Sequence, residues 1–182
     1  MRIIRLLYFQ MFLALVLLLE WPTGNSLLAK GRSLQSSGTQ NEVNLKIKSV
    51  GLDAPYANVL RRLGRPQKIR RVKNLDETCG DPSTIMTLYY PGLIVTLEGP
   101  LSGRNLRVVS FESTSSSWTV SPGIRMGIGE RRVKAKLGTS AEEADESGLH
   151  KLYYEIKNGP GTAVLYFRAG RLVKVEWGYT LC

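Results

Sequence analysis

The sequence predicts an α+β fold of two tandem repeats, each a short helix (or helix pair) packed on a three- to four-stranded antiparallel sheet. Three observations lead there. A helix-length segment ending in Leu-Gly occurs twice, at Gly51–Gly64 and Arg125–Gly138, with Val59, Leu63 and Gly64 matching Val133, Leu137 and Gly138. Each segment is followed by three short runs rich in β-branched and aromatic residues. Turn-forming residues separate those runs at Pro91-Gly92, Gly99-Pro100, Asn158-Gly159-Pro160-Gly161 and Ala169-Gly170.

The N-terminus stands apart from this pattern. Arg2 and Arg5 lead into an apolar stretch, Leu6–Leu19, interrupted by Gln10 and closed by Glu20, and the small residues Gly24-Asn25-Ser26 follow. A positive start, an apolar middle and a small-residue end mark residues 1–26 as a secretory signal peptide. The apolar run is shorter than the roughly 20 residues that cross a bilayer, so cleavage is the expectation and retention as an anchor the alternative. Residues 27–42 are dominated by Ser, Gly, Gln and Asn without apolar periodicity and read as a flexible linker. The first repeat is then residues 43–117 and the second residues 118–182.

Within the first repeat, Val43, Leu45 and Ile47 alternate with Asn44, Lys46 and Lys48, the pattern of a half-buried strand. In both helices the apolar residues stand four apart on one stripe, and the closing glycine suits a left-handed C-cap. Pro66 blocks continuation of the first helix. The expected strands are Leu88–Tyr90, Gly92–Glu98 and Leu106–Glu112, then Leu152–Ile156, Thr162–Phe167 and Arg171–Trp177. Neither set is apolar enough to close a core alone, so each sheet packs on its helix and leans on its twin.

Charge narrows the partners. The chain carries 25 basic and 15 acidic residues, net +10; removing the signal peptide takes two of the former and one of the latter, leaving +9. Such an excess favours anionic partners or simple solubility, and export argues against nucleic acid. The densest positive charge is Arg61, Arg62, Arg65, Lys68, Arg70, Arg71 and Lys73, read as one basic edge suited to anionic envelope lipid or glycan. Cys79 and Cys182 form an even pair in an oxidising compartment, so a disulfide is expected. The loop it would close exceeds a hundred residues, for which chain-entropy models give at most about 4 to 5 kcal/mol.

Catalytic signals are sparse. His150 is the single histidine and cannot by itself build a zinc site, so it reads as a solvated loop residue. Glu142, Glu143, Asp145 and Glu146 lack the alternating spacing and central glycine of a calcium loop and read as an acidic solvated loop. Gly127-Ile128-Gly129 precedes a helix, yet Arg132 occupies the third glycine position of a dinucleotide fingerprint. No nucleophile elbow, zinc-protease or phosphate-loop motif is present. The expectation is therefore a protein that is not an enzyme, without cofactor or metal.

Asp53, Val59, Leu63, Gly64 and Pro66, and again Gly127, Val133, Leu137 and Gly138, each precede three antiparallel runs. This order resembles the fold shared by β-lactamase inhibitor proteins and the small lipoprotein subunit of the outer-membrane β-barrel assembly machine. The resemblance covers about residues 43–180, in tandem as in the inhibitors. It implies an exported, non-catalytic module that binds another protein, in the inhibitors through the open face of the sheet. The first cysteine, Cys79, lies far past the signal segment, so no residue matches the lipid-bearing cysteine of the lipoprotein; no loop matches the inhibitors' contact residues.

Period-two alternation locates the corresponding face here. Leu152, Tyr154 and Ile156, then Ala163, Leu165 and Phe167, then Val173, Val175 and Trp177 are expected beneath the helices. Tyr153, Tyr166, Arg168 and Lys174, with Tyr89, Ile94 and Thr96 from the first repeat, are expected on the open side. Tyrosine and arginine are enriched at protein interfaces. The functional expectation is an exported periplasmic or extracellular module that binds a cell-envelope protein through Tyr89, Ile94, Tyr153, Tyr166, Arg168 and Lys174. The alternative is anionic envelope lipid or glycan bound by the basic edge.

Overall fold

Two helices form where the sequence places them: α1 is Tyr56–Leu63 and α2 is Glu130–Leu137. In the computed structural model, which describes residues 42–75, 81–157 and 159–179, each helix buries its apolar pair, Val59 with Leu63 and Val133 with Leu137. Each ends at a glycine, Gly64 with φ 87° and ψ −167° and Gly138 with φ 86° and ψ −163°. Only glycine adopts that backbone region readily. The cap N–H groups donate to Leu60 O and Lys134 O, and the buried tyrosines Tyr90 and Tyr154 donate to the cap carbonyls at 3.1 and 3.2 Å. Burial first of all pushes both phenols up to about 12.

Eight strands follow: β1 (Lys68–Asn74), β2 (Ser83–Tyr90), β3 (Leu93–Pro100), β4 (Arg107–Ser113), β5 (Glu142–Glu146), β6 (Leu149–Glu155), β7 (Gly161–Arg168) and β8 (Arg171–Tyr179). They build one antiparallel sheet in the order β1-β2-β3-β4-β8-β7-β6-β5. This corrects the expected fold class: the described residues form not two tandem repeats with a sheet each, but a single eight-stranded sheet carrying two short helices. The reason is coverage. An eight-residue helix is about 12 Å long, whereas four strands span roughly 14 to 19 Å across and up to about 27 Å along. Neither helix can shield a four-stranded sheet, and each such sheet would leave an edge at β4 or β8. Pairing β4 with β8 removes both edges, through Ser110 opposite Gly178, Phe111 opposite Trp177, Glu112 opposite Glu176 and Ser113 opposite Val175.

The rest of the cover is non-helical. Val43, Leu45 and Ile47 are buried and their neighbours exposed, as the alternation implies, but the segment is not a strand of the sheet. It runs as an extended strap held by isolated bridges, Val43 to Ile156 and Ile47 to Val50 and Val120. Val120 and Ile124 complete this layer with no exposure. Two bulges shift the face expected from strict alternation. Between Tyr166 and Phe167 the register to β8 slips, so Leu172 rather than Val173 is buried beside Val175 and Trp177. A matching slip between Thr96 and Leu97 puts both Val108 and Phe111 of β4 in the core.

Strands β1 and β5 were not anticipated. The acidic segment expected as a loop is β5, and the basic segment after α1 is β1. Both are sheet edges that bury neither side, so neither shows the apolar alternation by which strands are read. Residues 1–41, which hold the expected signal peptide and nearly all of the expected linker, lie outside the described residues, as do Cys79 and Cys182.

Candidate functional site

The helices, the strap and the loop around Val120 all lie on one side of the sheet, and the other side presents a continuous ladder of side chains. Strand register lines up Lys68, Tyr89, Ile94, Glu112, Glu176, Val164, Tyr153 and Glu142, one from each strand in sheet order. None of these ladder positions is buried. A second row beside it is built of small residues, Thr87, Thr96, Ser110, Gly178 and Thr162. Where these small side chains meet the β4–β8 seam, a shallow groove of about 310 Å³ opens, flanked by Ile94, Glu112, Glu176 and Tyr179.

Each residue singled out from sequence has a definite place. Tyr89 and Ile94 are direct cross-strand partners on β2 and β3. Tyr153 pairs with Val164 at the far end of the same row. Tyr166 opposes Lys174 on β8, and Arg168 stands exposed at the β7–β8 hairpin opposite Arg171. The six therefore form a β2–β3 pair and a β6–β8 group, with the groove between them.

What the sequence did not disclose is the polar network binding the second group. Tyr166 donates to Glu176 at 2.5 Å, Lys174 forms an ion pair with Glu176 and lies 3.8 Å from Glu112. Lys151 and Lys174 stack over the Tyr166 ring at 5.5 and 4.9 Å. Partial burial, then the hydrogen bond to Glu176, pushes the Tyr166 phenol above its ordinary value. Burial raises Glu176, but hydrogen bonds from Lys174 and Tyr166 outweigh it and hold the carboxyl below its ordinary value. Glu176 has Lys174 two residues away on its own strand, but Tyr166 and Glu112 stand on other strands, so register is what brings the whole group to the groove. The face is thus aromatic and mixed in charge rather than uniformly basic.

The basic residues divide. Arg61 and Arg62 are exposed on α1, where Arg61 donates to Asn58 Oδ1 at 2.9 Å. Arg65 follows the helix. Alternation along β1 sends Lys68 and Arg70 to the open side and Arg71 and Lys73 to the helix side. Lys68 rests 5.7 Å over the Tyr89 ring, joining edge to face. The seven cations form a rim around the β1 edge, not a flat patch.

On the helix side near β5, the structure gathers residues that the sequence leaves unrelated. His150, expected in a loop, lies on β6 with Nε2 3.6 Å from both Glu130 and Glu143 and Nδ1 2.9 Å from Asp145. One ligand atom from each of Glu130, Glu143 and His150 fits within 4.8 Å of the others. That grouping has its own cation: Lys134 Nζ is 2.9 Å from Glu130 and 2.7 Å from Glu143. The arrangement is an ion cluster linking α2 to the β5 edge. The hydrogen bonds to Glu143 and Glu130 raise the Lys134 pKa, and the bond from Lys134 lowers that of Glu143.

A pH prediction follows from these directions. Glu143 contributes stability above its ordinary value near 4.5, and that contribution fades as the pH falls through its lowered folded value. Lys134 contributes below its ordinary 10.5 and loses the contribution as the pH rises through its raised folded value. Lys134→Ala is expected to remove both effects and flatten the stability curve in acid, with a neutral-pH loss of at most about 1 kcal/mol because the pair is solvent-screened. Urea midpoints between about pH 3 and about pH 7 check it; native and variant curves of equal slope would overturn it.

No protein-family model matches the sequence, and no curated protein matches it. Solved structures that align include an extracellular protein containing an SCP domain from Bacillus anthracis str. Ames, at 15% identity and TM-score 0.43, over 71% of this chain and 44% of that one. A cysteine-rich secretory protein from Staphylococcus aureus subsp. aureus Mu50 aligns at 11% identity and TM-score 0.44, again over 71% and 44%. The chain thus spans less than half the length of these two. A candidate β-lactamase inhibitor protein from Streptococcus mutans aligns at 16% identity and TM-score 0.27, over 74% of this chain and 86% of its own.

Proposed function

We propose that the chain is an exported, non-catalytic binding module that engages a cell-envelope protein through the open face of its sheet. The observation that carries this reading is the ladder from Lys68 to Glu142, crossing all eight strands on the side away from the helices. A broad, open surface with tyrosines near both ends and a groove between them suits a macromolecule better than a small molecule, which binds in enclosed clefts. Cross-strand hydrogen bonding fixes the spacing of the ladder, so little backbone freedom is lost on binding. Export rests on the N-terminal pattern of charge, apolar run and small residues.

The test is capture from a cell-envelope extract with the purified protein, followed by affinity measurement with the recovered partner. Ile94→Arg combined with Tyr153→Ala is expected to weaken that affinity at least about thirtyfold, the loss of one strong interface anchor, while circular dichroism stays native. Unchanged affinity in the folded double variant would overturn the reading. Binding that instead follows the anionic lipid content of vesicles and vanishes at moderate salt would place the activity on the basic rim.

A further inference from the structure

Among the described residues the two outer strands of the sheet carry opposite charge. β1, Lys68–Asn74, holds four basic residues and no acidic one, and β5, Glu142–Glu146, holds four acidic residues and no basic one. Every β1 position from Lys68 to Lys73 is exposed, including Ile69 at 49% and Val72 at 43%, and four of the five β5 positions are exposed. Among the described residues none of the four β1 cations is in an ion pair, whereas Glu143, Asp145 and Glu146 face Lys134, His150 and Lys151.

From these edges we propose that the protein self-associates edge to edge, the β1 strand of one copy pairing with the β5 strand of the next. The occupant of each edge is a second copy of this chain, and the proposal stands independently of what binds the open face. Strand direction permits it. An even number of strands, all antiparallel to their neighbours, leaves β1 and β5 pointing opposite ways. A copy added with its helices on the same side therefore pairs antiparallel, and the alternation continues across the junction.

Side-chain chemistry selects the register. With Ala144 opposite Val72 of the next copy, Glu143 meets Lys73, Asp145 meets Arg71, Glu146 meets Arg70, and Glu142 meets Asn74. The faces agree as well: Ala144 and Val72 both lie on the open side, opposite Lys151 and Ile85 in their own sheets. Three opposite-charge pairs and one apolar pair fill five rungs without a mismatch. Charged edges commonly protect sheets against aggregation, and here they do so for like edges: β1 against β1, or β5 against β5, would oppose charges of one sign. The contact that remains favourable is the unlike one. Because it joins two different surfaces it is heterologous, and a twist of about −20 to −25° per strand turns each successive copy by roughly 160 to 200°. Growth is therefore an open-ended series, not a closed dimer.

Sedimentation of the purified protein over a concentration series tests this. At about 0.02 M salt the mean mass is expected to rise past that of a dimer, and the association constant to fall at least about tenfold by about 0.5 M salt as screening shortens. One charge-reversed variant combines Arg70→Glu, Arg71→Glu and Lys73→Glu, and the other combines Glu143→Lys, Asp145→Lys and Glu146→Lys. Each alone has two edges of one sign and is expected to stay monomeric, and mixing them restores association. If the β5 variant does not fold, the β1 variant alone suffices: it can add to only one end of a native chain, so it shortens native oligomers. A native protein that stays monomeric at low salt, a folded β1 variant that associates like the native protein, or native oligomers whose mean mass that variant leaves unchanged would each overturn the proposal, as would failure of two folded variants to associate on mixing.

Discussion

Trp177→Ala is expected to cost about 3 to 5 kcal/mol, the range for truncating a large aromatic in a close-packed core. Trp177 is 2% exposed and stacks on Phe111 with ring centroids 4.6 Å apart and 14° between planes. The two residues are cross-strand partners at the β4–β8 seam, so the cavity opens where one half of the sheet meets the other. The strap is bonded to Glu155 at the end of β6, so it cannot collapse into the cavity without moving the sheet. Phe111→Ala is expected to cost a similar amount. In a double-mutant cycle the pair should couple by about 0.5 to 1.5 kcal/mol, since either truncation alone already removes the stacking. Among the described residues the buried Trp177 indole N–H has no hydrogen-bond partner, and removing an unpaired donor recovers part of what is lost with volume. Trp177→Phe is accordingly expected to lose markedly less than Trp177→Ala. Urea unfolding of the native protein and the four variants measures all of this; a loss below about 1 kcal/mol for Trp177→Ala would mean that the seam is not part of the core.

The sequence discloses the parts of this fold that have one wet side and one dry side. Val59 and Leu63, and Val133 and Leu137, carry a four-residue period that only a helix turns into a stripe. Met86, Leu88 and Tyr90, and likewise Leu93, Val95 and Leu97, alternate because β2 and β3 are covered on one side. Elements without that asymmetry leave no such trace. β1 and β5 bury nothing, so KIRRVKN and EEADE read as charge runs rather than strands. The Val43–Ile47 strap has the alternation of a strand because it too lies on a core, although its backbone bonds go to isolated bridges. The joining of the two halves into one sheet was illegible for a different reason. Whether β4 pairs with β8 or with solvent depends on how much sheet each helix can cover, which is a matter of areas and lengths rather than of residue pattern. Parity alone puts Tyr89, Ile94 and Tyr153 in one row of the register, whereas Val173, beyond a bulge, yields the core position to Leu172. Glu112 and Glu176 carry no functional signal in the sequence because a carboxylate on an exposed strand position looks like ordinary solvation until register puts it opposite its twin beside Lys174.

Gly178→Ala is expected to destabilise the protein by about 3 kcal/mol, the upper part of the usual range for overpacking. A Cβ at Gly178 would come within 2.6 Å of Ser110 Cβ and 2.8 Å of Val109 O. Ser110 is its cross-strand partner, and the obstruction is backbone as much as side chain, so no rotamer change relieves it. The β4–β8 ladder has four rungs against eight between β7 and β8, which leaves the seam least able to absorb a displaced strand. Gly161 is held in the same stack, since a Cβ there would lie 2.4 Å from Gly178 O. Ser110→Gly in the Gly178→Ala background removes the 2.6 Å overlap but leaves Val109 O in place, so rescue is expected to be partial. Gly129→Ala serves as the control: its φ is −72° and a Cβ meets nothing within 4 Å, so its loss is expected to stay within about 1 kcal/mol. Amide exchange separates the seam from the rest of the sheet. Protection is expected to fall first in β4 and β8 and to persist between β2 and β3. Native-like stability of Gly178→Ala would show that the halves can part by the needed distance at little cost, and the single-sheet architecture would then not be what fixes the spacing of the open face.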